Sequence, residues 1–99
     1  MKVEIRRSTR GDKKYMAILP KRTIHFGGNG YTDFTHHGDT NKKYAYMSRH
    51  QANEDWTKSG INTAGFWAKH ILWNEPSLQE SARDVSRRFG LSVQVINVG

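Results

Sequence analysis

The chain has 99 residues, enough for one modest hydrophobic core, and we predict a single domain over residues 1–99. Lys and Arg number 16 against 9 Asp and Glu, and the formal net charge of +7 predicts an anionic partner, such as nucleic acid or an acidic protein surface. The lack of cysteine excludes disulfides and thiolate metal sites, and no apolar run is long enough for a membrane span or a secretory signal, so we expect neither membrane insertion nor secretion.

The first part of the chain predicts strands and turns. Residues 2–8 alternate apolar and charged side chains, as a half-buried strand does. A second strand at residues 15–19 ends at Pro20, which cannot donate to a strand ladder, and these two strands form a predicted hairpin. A third strand at residues 23–26 leads into a glycine-rich turn at residues 27–30. That turn lacks the Lys of a phosphate-binding P-loop, so we interpret its glycines as turn residues.

The next segment predicts a loop followed by a basic helix. Residues 31–39 form a polar, aromatic loop, and residues 42–56 form the helix. Three residues are candidates for its N-cap: Asp39, Thr40 and Asn41. Its apolar stripe is weak and consists of Tyr44, Met47 and Ala52, with Trp56 at the end.

Residues 63–73 are the densest apolar run of the chain and predict a buried central helix. One face repeats at the helical period and comprises Ala64, Trp67, Ala68, Ile71 and Leu72. Thr63 can cap this helix, and His70 is predicted to be a hydrogen-bonded core histidine. The alternative is an interaction helix whose aromatic side chains face a partner.

The C-terminal third predicts a capped helix and a final strand. Ser77 and Glu80 fit the capping box S-x-x-E, and Gly90 is a typical helix stop. The apolar face of this helix comprises Leu78, Ala82, Val85 and Phe89. A last strand is predicted from the alternation of Leu91, Val93 and Val95.

The order of three strands, three helices and one strand predicts an α+β domain. In this prediction, a small antiparallel sheet, made of the N-terminal hairpin and the C-terminal strand, packs on about three helices. The last strand is expected beside the first, where it would cover a basic edge.

Basic side chains are concentrated near the N-terminus and recur among aromatic residues further along. We predict a binding surface made of Arg6, Arg7, Arg10, Lys13, Lys14, Lys21, Arg22, Tyr31, Lys42, Lys43 and Arg49. Cations neutralise phosphates and exposed rings stack on bases, which favours nucleic acid. Two alternatives use the same residues: a contact with another protein, and a solvated edge that only prevents aggregation.

The histidine-rich loop raises a metal hypothesis. Four weak candidate ligands could converge, as in a nuclease of the His-Asn-His kind: His36, His37, Asp39 and His50. Adjacent histidines point in different directions on an extended chain, so we instead predict local hydrogen bonds, no metal and no cofactor. Nucleophilic catalysis has no support, because the chain has no cysteine and no serine in a nucleophile elbow.

Several motifs, taken together, resemble a known group of proteins. They are residues 25–36 (HFGGNGYTDFTH), 46–50 (YMSRH), 54–56 (EDW), 59–67 (SGINTAGFW) and 72–78 (LWNEPSL). The series is similar to a small uncharacterised protein family of large DNA viruses, over residues 14–89. The resemblance implies a viral origin and assigns no catalytic residue.

Three functional hypotheses follow. The first is a non-enzymatic component of a virus particle, such as a minor capsid or cement protein, with capsid proteins as partners. The second is a nucleic-acid-binding protein with little sequence specificity, and the third is a metal-dependent nuclease. The expected location is the virion or the interior of the host cell, in cytoplasm or nucleus.

Overall fold

A computed structural model of the protein describes residues 1–98 and confirms the α+β class. The strands and helices are β1 (Lys2–Arg7), β2 (Lys13–Ile18), β3 (Thr23–Gly28), α1 (Phe34–His37), α2 (Thr40–His50), α3 (Ala64–Trp67), α4 (Leu78–Phe89) and β4 (Ser92–Val95). A π-helical turn, Ala68–Leu72, continues α3, and short 3₁₀ turns occupy Gln51–Asn53 and Lys58–Gly60. No helix within residues 1–98 has the length and apolar character needed to cross a membrane.

The four strands form one sheet in the order β3-β2-β1-β4. The predicted place of the last strand beside the first is confirmed, with Val3 opposite Val93. Its direction is different from the predicted one, because β4 runs parallel to β1 and the sheet is mixed. A parallel neighbour requires a crossover connection, and here the whole helical half of the chain provides it.

The core lies between one face of the sheet and the helices that follow α2. Its largest fully buried side chains include Phe26 from β3 and Phe66 and Trp67 from α3. The predicted buried central helix is confirmed by the burial of Phe66, Trp67, Ile71 and Leu72, whereas Ala64, on the predicted buried face, is exposed. The π-helical turn, in which the Trp73 amide bonds to the Ala68 carbonyl, departs from the 3.6-residue period on which the prediction rested.

The middle of the chain differs most from its prediction. Helix α2 ends at His50 rather than at residue 56, and its buried aromatic residue is Tyr46, whereas Tyr44 is 60% exposed. Of the three candidate caps, Asp39 is the N-cap, because its Oδ1 accepts the amides of Asn41 and Lys42. Within the predicted loop, the short helix α1 forms because Phe34 is buried and Gly38 ends the turn at φ +61.

The C-terminal helix follows its sequence signals closely. The Ser77 hydroxyl accepts the amide of Glu80 at 3.1 Å, and Gly90 ends the helix in the left-handed conformation at φ +67. The predicted apolar face packs on the core as well. Local capping chemistry therefore sets both ends of α4.

His70 is a buried core histidine, as predicted. Its side chain is 1% exposed, and its ring centroid lies 4.5 Å from that of Phe66 and 5.0 Å from that of Phe89. Nε2 carries the proton and donates to the Trp56 carbonyl at 2.8 Å. Burial lowers the pKa of His70 from 6.5 to about 4, against the raising effect of that hydrogen bond. The neutral imidazole is therefore part of the core.

We expect stability to fall as the pH drops from 6.5 towards 4. The pKa of His70 is lower in the folded state, so the unfolded chain binds the additional proton in this window, and the contribution present above pH 6.5 is lost. The loss in the free energy of unfolding should approach about 3 kcal/mol. Urea unfolding at several pH values measures it. His70→Gln keeps a donor without titrating and should flatten the profile; an unchanged profile would assign the loss to other groups.

Candidate functional site

Two depressions adjoin each other at the end of the sheet where β1 and β3 finish and β2 begins. The basic hollow, of about 480 Å³, has among its lining residues Arg7, Arg10, Lys13, Lys14, Tyr15, Tyr31 and His36. The aromatic groove, of about 650 Å³, has among its lining residues Tyr31, Lys42, Tyr46, Arg49, His50, Glu54 and Trp73. Lys14, Tyr31 and Thr32 line both. We call the combined surface the channel.

The basic hollow carries uncompensated positive charge. Within the described chain, no acidic residue lines it, and neither Arg7 nor Lys13 lies within ion-pair distance of a carboxylate. Arg10 is paired with Asp12 at 3.0 Å, but both side chains are more than half exposed, so water screens the pair. The hollow therefore attracts anions.

Helix α2 supplies one wall of the aromatic groove. Lys42, Tyr46, Arg49 and His50 are spaced at i, i+4, i+7 and i+8, which places them on one helix face. The Tyr46 ring stacks on Trp73 with centroids 4.4 Å apart and planes at 4°, and on His50 at 4.4 Å and 30°. Burial and the nearby Glu54 carboxylate raise the pKa of Tyr46 well above its usual range, so its phenol stays protonated.

Glu54 gives the groove a negative group opposite these cations. Its carboxylate lies directly against Gly65 and leaves no room for a Cβ there, and its Oε1 is 3.6 Å from Nδ1 of His50. The groove therefore presents aromatic faces with charges of both signs, whereas the hollow presents positive charge.

Lys14 and Asp33 form a buried ion pair where the two depressions meet. Nζ of Lys14 donates to Oδ2 of Asp33 at 2.6 Å, with the side chains 11% and 2% exposed. Burial raises the pKa of Asp33, but hydrogen bonds from Lys14, Thr35 and His36 outweigh it and hold the pKa below 3.8. The charge of Lys14 is thereby neutralised inside the protein.

The channel brings together seven of the eleven predicted binding residues, namely Arg7, Arg10, Lys13, Lys14, Tyr31, Lys42 and Arg49. The other four lie elsewhere. Arg6 donates to Glu4 at 2.9 Å, and Lys43 donates to the Asn74 carbonyl at 2.7 Å.

Lys21 and Arg22 complete that group of four. Both are exposed in the β2–β3 turn, at the opposite end of these strands from the channel.

The predicted binding surface did not include four residues that line the groove, namely Asp33, Tyr46, Glu54 and Trp73. The spacing of Tyr46 from Lys42 and Arg49 places the three residues on one helix face and could have predicted this wall of the groove. The predicted apolar stripe of the helix included Tyr44 instead of Tyr46. Trp73 reaches Tyr46 from a distant part of the chain, so no local pattern could have paired them. Asp33 looks like an ordinary polar loop residue until Lys14 is placed beside it.

The four candidate metal ligands do not form a shared site. Within residues 1–98, no group of three or more His, Asp or Glu residues is placed to hold a metal ion. Nδ1 of His37 accepts the Asp39 amide at 2.8 Å, and Nδ1 of His36 lies 3.2 Å from Oδ1 of Asp33. Both histidines thus make the local hydrogen bonds predicted for them, and the ring of His50 stacks on Tyr46.

Comparison with known proteins finds a similarity to a protein family. A model of a family of unknown function, DUF5754, matches residues 3–50. This segment runs from Val3 in β1 to the end of α2 and contains every residue that lines the basic hollow, whereas Glu54 and Trp73 in the groove lie outside it. No curated protein and no solved structure matches the chain. The similarity thus covers the more basic part of the channel and names no activity.

Proposed function

We propose that the protein binds nucleic acid with little sequence specificity and performs no reaction on it. The observation that carries this proposal is the basic hollow, which has cations and no acidic lining residue in the described chain. A phosphate backbone needs such a surface, because each phosphate that Lys or Arg neutralises releases condensed counterions. The adjoining groove adds aromatic rings, which a purely phosphate-binding surface does not need.

Low sequence specificity follows from the chemistry of the channel. Contacts from Arg7 and Lys13 to phosphates would position a strand without reading its sequence. Stacking on aromatic rings tolerates every base, because each base has a π-face. Both types of contact therefore favour affinity over discrimination.

Three double variants test the proposal, because each removes one Lys and one Arg from a different place. Arg7→Ala/Lys13→Ala changes the hollow, Lys42→Ala/Arg49→Ala changes the groove, and Lys21→Ala/Arg22→Ala changes the turn outside the channel. We expect the first two to weaken DNA binding and to lower the slope of log affinity against log salt by about 1 per lost phosphate contact. Fluorescence anisotropy with labelled DNA across a salt series measures both.

The turn variant is the matched control, because it has the same net charge as the other two. It should bind nearly as well as the wild type. Equal losses in all three variants would attribute binding to overall charge, and no binding by the wild type at low salt would contradict the proposal. Adding Mg²⁺ to the same mixtures tests the nuclease hypothesis, which requires DNA cleavage that a chelator stops and His37→Ala reduces.

The role in a virus particle is our second proposal. The motif resemblance supports it, and the exposed cations outside the channel, Lys21 and Arg22, leave a basic surface for a capsid neighbour. Mass spectrometry of purified particles should then find the protein at an abundance comparable to that of other minor capsid proteins. Its absence from the particles would contradict this role without affecting the nucleic-acid proposal.

A further inference from the structure

Tyr31 has an unusual position in the channel. It is 77% exposed, and it lines both the hollow and the groove. Burial of its ring therefore does not explain its place, although a tyrosine usually buries much of its large apolar surface.

The ring nevertheless packs against the end of the preceding strand, β3. Tyr31 lies over Gly28, where a Cβ would be only 2.8 Å from Cδ2 of the ring, and the Tyr31 amide donates to the Gly28 carbonyl at 3.3 Å. Glycine at position 28 thus makes room for the ring against β3. The rest of the ring remains open to a ligand.

The cations flank this ring on both sides. Arg7, Arg10 and Lys13 lie in the hollow, and Lys42 and Arg49 lie in the groove. A nucleic-acid strand that crosses Tyr31 can therefore place phosphates in both depressions while one of its bases contacts the ring. Lys14, which also lines both, is neutralised by Asp33 and leaves these five as the charged partners.

Resting on the proposed function, we infer that the channel selects single-stranded nucleic acid and that Tyr31 is the platform on which one base stacks. In a duplex the bases are stacked on each other and paired, so their faces cannot reach an exposed ring. In a single strand they can, and aromatic residues of single-strand-binding proteins use this contact.

Anisotropy titrations with a labelled oligo(dT) strand and with a duplex test this inference. The wild type should prefer the single strand, and Tyr31→Ala should weaken single-strand binding about tenfold, because it removes the stacking contact of one base. Duplex binding should change little. Tyr31→Phe keeps the ring and should bind like the wild type.

Two further variants test whether the loss of binding depends on the position of the Tyr31 ring. Tyr44→Ala removes a tyrosine that is also exposed, at 60%, but lies outside both depressions, and it should leave binding unchanged. Gly28→Ala keeps Tyr31 but displaces its ring, and it should reproduce part of the Tyr31→Ala loss. Thermal unfolding checks that each variant is folded.

The outcomes separate this inference from the function on which it rests. Salt-sensitive binding that Tyr31→Ala and Tyr44→Ala alter equally, or that shows no preference for single strands, would overturn the stacking role and leave nucleic-acid binding intact. If the wild type binds neither DNA at low salt, both fail. Selective loss in Tyr31→Ala, with Tyr31→Phe unaffected, supports the inference.

Discussion

Trp67→Ala should lower the free energy of unfolding by about 3–5 kcal/mol, the range for removing a large aromatic side chain from a core. The Trp67 side chain is fully buried, and its ring makes an edge contact with Phe66 at a centroid distance of 5.0 Å. Its Nε1 also donates to the Ile61 carbonyl at 2.7 Å. The substitution therefore leaves both a cavity and a carbonyl without its donor.

Such a loss is large for a single domain, whose total stability is typically about 5–15 kcal/mol. Two controls separate its components. Trp67→Phe keeps most of the ring but removes the donor, and it should lose less, including about 1–3 kcal/mol for the unpaired carbonyl. Trp73→Ala removes the same kind of side chain from a half-buried site and should also lose less than Trp67→Ala. Urea unfolding measures all three, and equal losses for the two tryptophans would show that the core is not centred on α3.

The elements that were predicted well are those whose signals are local. Ser77 and Gly90 set the two ends of α4 through hydrogen bonds and backbone conformation within a few residues. The alternation in residues 2–8 likewise needs only the pleat of a strand. Such signals do not depend on how the rest of the chain folds.

The elements that were missed depend on tertiary packing. Helix α1 has four residues, too few for a helical period to be visible, and it forms where Phe34 reaches the interior. The direction of β4 depends on where the chain re-enters the sheet after its helical half, which no local pattern records. The π-helical turn after α3 departs from the 3.6-residue period, and no local pattern in the sequence records it.

For the candidate site, the sequence predicts which kinds of residue are present, but it does not predict which of them lie together. The sequence shows where cations occur, but it does not show which of them are neutralised. Lys14 meets Asp33 across 19 positions, and Lys43 meets the Asn74 carbonyl across 31. Both were predicted as ligand contacts, and the structure uses both inside the protein.

Asp33→Asn should lower the free energy of unfolding by about 3 kcal/mol, because it leaves Lys14 largely buried without its counter-charge. Asp12→Asn is the matched control, because it breaks the Arg10 pair, whose side chains are 55% and 62% exposed and screened by water, so its loss should be far smaller. The double variant Lys14→Met/Asp33→Asn should lose less than the sum of its single variants, since it removes both charges. Urea unfolding at pH 7 of these three variants and of Lys14→Met gives the four values.

Acid unfolding gives a second measure of the same pair. Because the pKa of Asp33 is lowered in the folded state, its contribution is present above pH 3.8 and is lost as the pH falls below that value. Asp33→Asn should lack this loss while keeping the change between pH 6.5 and 4 that belongs to His70. If Asp33→Asn costs no more than Asp12→Asn, Lys14 must be able to turn into water. The charge of Lys14 would then face the channel, and Asp33→Asn should bind DNA more tightly than the wild type. In that case Asp33 would lower the affinity for DNA by neutralising Lys14, and it would contribute little to the stability of the fold.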